Sequence, residues 1–150
     1  MALTTSQKGL NFIKAFEELH LTAYDDGYGT WTIGYGHTAN VTPGMQISES
    51  DALSYLKMDL ASTESTVRKA IITHLTQNMF DALVSFCFNI GSSAFTSSTL
   101  VKMLNAGNIP GAANEFDRWI YSQGQISSGL ITRRAAEKNI FMNNIYNSAH

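Results

Sequence analysis

Phe16-Glu17-Glu18, Tyr24-Asp25-Asp26-Gly27 and Trp31-Thr32-Ile33-Gly34-Tyr35-Gly36-His37 belong to one stretch, residues 16–37, whose changes of period decide the fold. Upstream the period is helical. Advancing ~100° per residue from Leu10 places Gly9, Leu10, Phe12, Ile13, Phe16 and Glu17 on one arc. Glu18 falls off that arc beside Lys14, at the four-residue spacing that lets opposite charges pair. Leu21-Thr22-Ala23-Tyr24 and Trp31-Thr32-Ile33-Gly34-Tyr35 then read as two short strands, and Asp25-Asp26-Gly27-Tyr28-Gly29 as the turn between them. A helix running into a hairpin predicts an α+β chain from its first forty residues.

Three polar side chains stand out in this stretch. Eight residues separate Glu17 from Asp26, and five separate Asp26 from Thr32. Two carboxyls and a hydroxyl, carried by a helix end, a turn and a strand, are the parts needed to cut a glycosidic bond with water. Glu17 on an apolar face favours its protonated form, which a general acid near neutral pH requires. A second reading fits equally: Glu17 merely ends the stripe and leans into solvent. Strand alternation puts Trp31, Ile33 and Tyr35 on one face and Thr32, Gly34 and Gly36 on the other. The second face leaves open space beside the Thr32 hydroxyl, which suits a substrate cleft or an ordinary exposed strand. Gly34-Tyr35-Gly36 is no phosphate loop, since no glycine follows at nucleotide-motif spacing and no helix opens there.

Further along, helices dominate. Ser48-Glu49-Ser50-Asp51 is a helix-starting box, and Ala52, Leu53, Tyr55, Leu56, Leu60 and Val67 continue a helix to about Ala70, with a break open at Ala61-Ser62-Thr63. Such a helix, ~30 Å long, would tie a small β-hairpin lobe to a larger helical one. Thr76 caps the next segment, Gln77 to Asn89, which is apolar on most sides and so central. Gly91, Gly107, Gly111 and Gly124 punctuate the remainder. The expected architecture is α+β, mostly α, with two lobes.

Composition bounds the rest. At 150 residues, 44% hydrophobic and 15% charged, the chain is expected to be one globular domain, 1–150, without an added binding module. Cys87, the single cysteine, sits in Phe86-Cys87-Phe88 and reads as a small buried hydrophobe. His20, His37, His74 and His150 are widely separated, so neither a metal nor another cofactor is expected. The N-terminus shows neither a secretory signal nor a membrane span, which predicts a cytoplasmic protein that does not insert into membranes. A net charge of −2 gives no signal for nucleic acid. The charge is uneven, however: residues 1–66 carry three lysines against eight acids, and residues 67–150 carry seven Lys and Arg against four acids. Steering of an anionic polymer into a cleft between lobes, or ordinary surface scatter, accounts for that asymmetry.

These residues resemble the phage-type lysozymes, or endolysins, of glycoside hydrolase family 24. The similarity runs through Ile13-Lys14-Ala15-Phe16-Glu17, Leu21 to Asp26 and Trp31 to Thr38. It resumes at Ala82 to Gly91 and Ser98-Thr99-Leu100, then at Phe116-Asp117-Arg118-Trp119 and Gly129 to Glu137. The resemblance implies hydrolysis, with inversion, of the β-1,4 bond between N-acetylmuramic acid and N-acetylglucosamine in peptidoglycan, for host cell lysis. It implies Glu17, Asp26 and Thr32 as catalytic residues, and a monomer released to the wall by a separate permeabilising agent. By the same resemblance His37 and Asp59 form a structural ion pair, Phe88 and Asn89 line the cleft and contact saccharide, and Arg133, close to the catalytic acid, either orients Glu17 or binds saccharide. Phe88 also reads as core, Trp119 as an apolar anchor before a sugar platform, and Arg134 as surface. Many relatives carry Gly after the catalytic Glu, where this chain has Glu18. A lytic transglycosylase on the same polymer needs one carboxyl only, and a non-catalytic wall binder needs none. Asp26 and Thr32 at matching spacing argue for hydrolysis.

Overall fold

The computed structural model describes residues 2–150. Helix α1, Gln7–Phe16, starts where the Ser6 hydroxyl accepts from the Gly9 N–H and buries Gly9, Leu10, Phe12 and Ile13. It stops one residue before the carboxyl of interest. Glu17 is its C-cap, in extended conformation at φ −92° and ψ 124°, so the helical arc no longer governs where its side chain points. The Lys14–Glu18 pair does not form: Lys14 lies over the Tyr35 ring, and the exposed Glu18 carboxylate approaches His20 at 3.4 Å.

Strands β1, His20–Asp25, and β2, Trp31–Gly34, pair antiparallel with Tyr24 opposite Thr32 and Asp25 opposite Trp31. Residues 45–47 add a third edge through Ala23 N–H to Met45 O and Ile47 N–H to Leu21 O. Both faces of β2 are covered. Thr32 is 5% exposed, and a Cβ on Gly34 would meet the Cβ of Ala52 at 3.4 Å. The open space expected beside Thr32 is therefore partly filled by the next helix.

That helix, α2, runs unbroken over Glu49–Ala70, ~33 Å at 1.5 Å per residue. Ser48 and Asp51 form the reciprocal capping box its sequence predicts. Thr76 caps α3, Gln77–Ile90, and every residue from Met79 to Cys87 is buried, so α3 is the central helix. Short helices α4 (Ser92–Thr96), α5 (Thr99–Asn105) and α6 (Ile109–Glu115) wrap it, with Gly111 lying within α6 rather than marking its end. A single 3-10 turn, Phe116–Arg118, leads to strands β3 (Tyr121–Ser122) and β4 (Gln125–Ile126). Gln123 and Gly124 turn this hairpin with φ of 51° and 78°, the positive pair that two-residue loops require. Helix α7, Ser128–Asn143, then packs along α3.

One apolar cluster joins Leu10 and Ile13 to α3 and on to Ile140 and Phe141. Phe86 is its hub, with Phe95, Phe116 and Trp119 edge-on at 5.1 to 6.1 Å. Residues 3–6 strap α1 to this helical lobe. The Arg68 guanidinium donates to Leu3 O at 2.7 Å, Gln77 Nε2 to Thr4 O at 2.8 Å, and Thr5 N–H to Glu64 at 2.7 Å. The Ser6 N–H donates to the buried Asp81 at 3.0 Å. Among the described residues no helix is long and apolar enough to cross a membrane.

Cys87 is 1% exposed, and burial pushes its thiol pKa up to about 11 against a smaller opposing pull from Ser92. The reactive thiolate is thus scarce at neutral pH. A disulfide reagent at pH 8 is expected to label the native protein far more slowly than the protein in denaturant; equal rates would contradict the burial.

Candidate active site

The end of α1, the end of α3, the β3–β4 hairpin and the start of α7 converge on a cleft of about 630 Å³. Phe16, Glu17, Asn89, Ser122, Ser127, Thr132 and Arg133 are among its walls. Because Glu17 caps its helix in extended conformation, its carboxyl reaches this space and is 21% exposed. Its nearest charge is a guanidinium, not the apolar wall that helical spacing implies: Arg133 Nη1 donates to Glu17 Oε1 at 2.8 Å. Opposite stands Gly36, where a Cβ would lie 3.9 Å from Glu17 Oε2. Its φ of 89° belongs to the left-handed region, so backbone conformation and room beside the acid both call for glycine.

The hairpin loop between β1 and β2 is built by its own aspartates. Asp25 Oδ1 accepts from the N–H groups of Gly27 and Gly29, and Asp26 Oδ1 from those of Tyr28 and Thr30. Among the described residues nothing donates to Asp26 Oδ2, which leaves one oxygen of this exposed carboxylate for a water or a substrate group. The Thr32 hydroxyl donates to Thr30 O at 3.3 Å. Neither Asp26 nor Thr32 is among the residues that line this cleft. A link between Asp26 and Glu17 comes from Tyr24 on β1. Its phenol pKa is raised by burial first, then by the carboxylates of Glu18, Asp26 and Glu17. Both candidate carboxyls therefore lie within electrostatic reach of one phenol.

The remaining positions fall as follows. His37 Nδ1 lies 2.9 Å from Asp59 on α2, with the imidazole stacked on Tyr55 at 4.4 Å, so the end of the glycine-rich strand is fastened to the long helix. Asn89 lines the cleft, whereas Phe88 packs half-buried against the core. Trp119 packs on Phe86 as an apolar anchor. Arg134 corrects the surface reading: it is 1% exposed, and its Nε donates to Trp119 O at 2.9 Å. Its Nη2 donates to Asn89 Oδ1, which orients that cleft residue. Burial lowers the Arg134 pKa, and Glu137 opposes that shift.

Sequence reasoning missed two further parts. One is the hydroxyl rim of Ser122, Ser127, Ser128 and Thr132, for which Gln123-Gly124 was the available turn signal. The other is the buried Glu137, which lies under both arginines at the three- and four-residue spacings. Of the C-terminal lysines and arginines, Arg133 alone lines the cleft among the described residues. Arg118 pairs with Glu115, Lys138 with Asp117, and Lys69 and Lys102 border a separate depression with Thr66 and Thr96. Among the described residues no group of three or more His, Cys, Asp or Glu is placed to hold a metal ion.

A small hairpin lobe and a helical lobe, with a carboxyl between them at the end of the first helix, make the fold lysozyme-like, and its relatives say the same. The family model described as phage lysozyme matches residues 14–137. The chain is 44% identical over 142 residues to the endolysin of Acyrthosiphon pisum secondary endosymbiont phage 1, covering 91% of this chain and 96% of that protein. Among solved structures, the endolysin of Escherichia coli O157:H7 phage FAHEc1 superposes with a TM-score of 0.89 at 41% identity, covering 98% of each chain. The muramidase domain of SpmX from Asticaccaulis excentricus gives the same TM-score and identity, covering 93% of this chain and 98% of that one. This chain belongs to the phage lysozyme family. It is a lysozyme-type glycosidase with the function of an endolysin.

Proposed function

We propose that the enzyme hydrolyses the β-1,4 bond between N-acetylmuramic acid and N-acetylglucosamine in peptidoglycan, with inversion, and so lyses a host cell. The observation that carries this reading is the Glu17 carboxyl, held at the cleft by Arg133 at 2.8 Å with the bare Gly36 opposite. Glu17 protonates the leaving oxygen. Asp26, with the Thr32 hydroxyl, places a water on the opposite face of the sugar and stabilises the positive charge that develops there. Asp26 suits this role because one of its oxygens holds the loop rigid while the other stays open. Asn89 and Arg133 bind saccharide along the cleft wall, with the serine and threonine hydroxyls opposite a polymer rich in hydroxyl and amide groups.

The test is digestion of purified sacculi followed by mass spectrometry of the fragments. Hydrolysis yields reducing muramic-acid ends. A lytic transglycosylase would yield anhydro ends lighter by one water, and a wall binder would yield no fragments; either result refutes the proposal.

A further inference from the structure

Glu137, Arg133 and Arg134 form a charged group sealed inside the helical lobe, with exposures of 0%, 4% and 1%. Their bonds are asymmetric. Glu137 Oε2 accepts from the Ser85 hydroxyl at 2.6 Å and from Arg133 Nε at 3.3 Å, while Oε1 accepts from Arg134 Nη1 at 2.5 Å. Arg133 Nη2 donates to Ser85 O and Oγ, both at 3.3 Å. Nη1 alone is turned to the cleft, where it meets Glu17. Among the described residues no buried side-chain polar atom lacks a partner, so the buried guanidinium nitrogens are satisfied where they sit.

We propose that Glu137, which touches no substrate, is the positioning residue of the catalytic carboxyl, holding Arg133 on Glu17 and absorbing one of the two guanidinium charges behind it. The inference rests on Glu17 being the general acid. Two arginines face two glutamates, so the group is neutral only while Glu17 is ionised, and protonating Glu17 leaves one excess positive charge. Without Glu137 the excess would be two, and the acid would lose its proton at lower pH. Without Arg134 the group would instead gain charge balance when Glu17 is protonated. The other ionisable groups around Glu17 are Glu18 beside it, Tyr24 and Asp26 from the hairpin lobe, and His150 on the cleft wall. None of them touches Glu137, whose partners are Ser85 on α3 and the two arginines on its own helix. A buried ion pair needed only for stability is commonly matched by apolar residues of similar volume, whereas this one leaves a single N–H aimed at the acid.

The experiment is the pH–rate profile of sacculus clearing for wild type, Glu137→Gln, Arg134→Gln and Arg134→Lys, with thermal denaturation of each. The alkaline limb reports loss of the acid's proton. It should move to lower pH by about one pH unit in Glu137→Gln and to higher pH in Arg134→Gln. At a fixed pH on that limb, one pH unit is about tenfold in rate. Arg134→Lys keeps the charge and should leave the limb in place. Limbs that do not move, or that move the same way in both neutral variants, overturn the inference. If Glu137→Gln fails to fold, the direction in Arg134→Gln against Arg134→Lys decides it. Full activity in Glu17→Gln would instead refute the functional reading on which this rests.

Discussion

Glu17→Gln is expected to lower turnover on sacculi by about a hundredfold to ten-thousandfold while leaving the protein folded. The substitution removes the transferable proton and almost no volume, and general acid catalysis is typically worth about 10²–10⁴ in rate. The fold should survive because Glu17 is a partly exposed cap residue whose backbone N–H, not its side chain, closes α1 onto Ile13 O. Arg133 keeps its bonds to Glu137 and Ser85, so the cleft wall stays in place behind the amide. Clearing rates and circular dichroism on the same samples check both halves of the expectation. Activity near that of wild type would remove Glu17 from the chemistry altogether.

Phe86→Ala carries the largest expected loss of stability, about 3–5 kcal/mol. Phe86 is fully buried, and among the described residues it alone meets three aromatic rings edge-on, those of Phe95, Phe116 and Trp119. The Arg134 guanidinium also lies 5.1 Å from its ring. Side chains from three elements, α4, the 3-10 turn with its cap Trp119, and α7, therefore border the cavity an alanine would leave, and none can collapse into it without dragging the others. For a chain of this size the melting temperature should fall by roughly 10 °C. Urea denaturation gives the free energy directly. A loss under about 1 kcal/mol would mean that Phe86 is not the centre of the core.

What could be read from the chain was local. The hairpin at Asp25–Gly29, the capping box at Ser48 and the cap at Thr76 each depend on residues within four positions of one another. The helical arc misled at Glu17 because a helix imposes its angle only while it lasts, and α1 ends at Phe16. Arg134 was misread for a different reason. Its place depends on Trp119 and Asn89, 15 and 45 residues away, and on Glu137, whose own burial depends on Ser85. The hairpin β3–β4 has two-residue strands, too short for alternation to register. Spacing and family resemblance single out the three candidate catalytic positions, whereas the guanidinium that meets Glu17 lies 116 residues away, beyond any local pattern, and only the family resemblance points to it.

The strap of residues 3–6 has a consequence for synthesis. Ser6 and Asp81 are 75 residues apart, so at about 5–20 residues per second a ribosome takes several seconds to deliver the second after the first. During that interval α1 has neither α3 to lie on nor the length, at ten residues, to hold a helix by itself in water. Leu10, Phe12 and Ile13 remain uncovered on the nascent chain, a ready target for chaperones. The hairpin lobe, whose strand hydrogen bonds close within residues 20–47, has the parts of its sheet first. The segment bearing the acid is thus translated before the central helix and docked only after that helix has emerged.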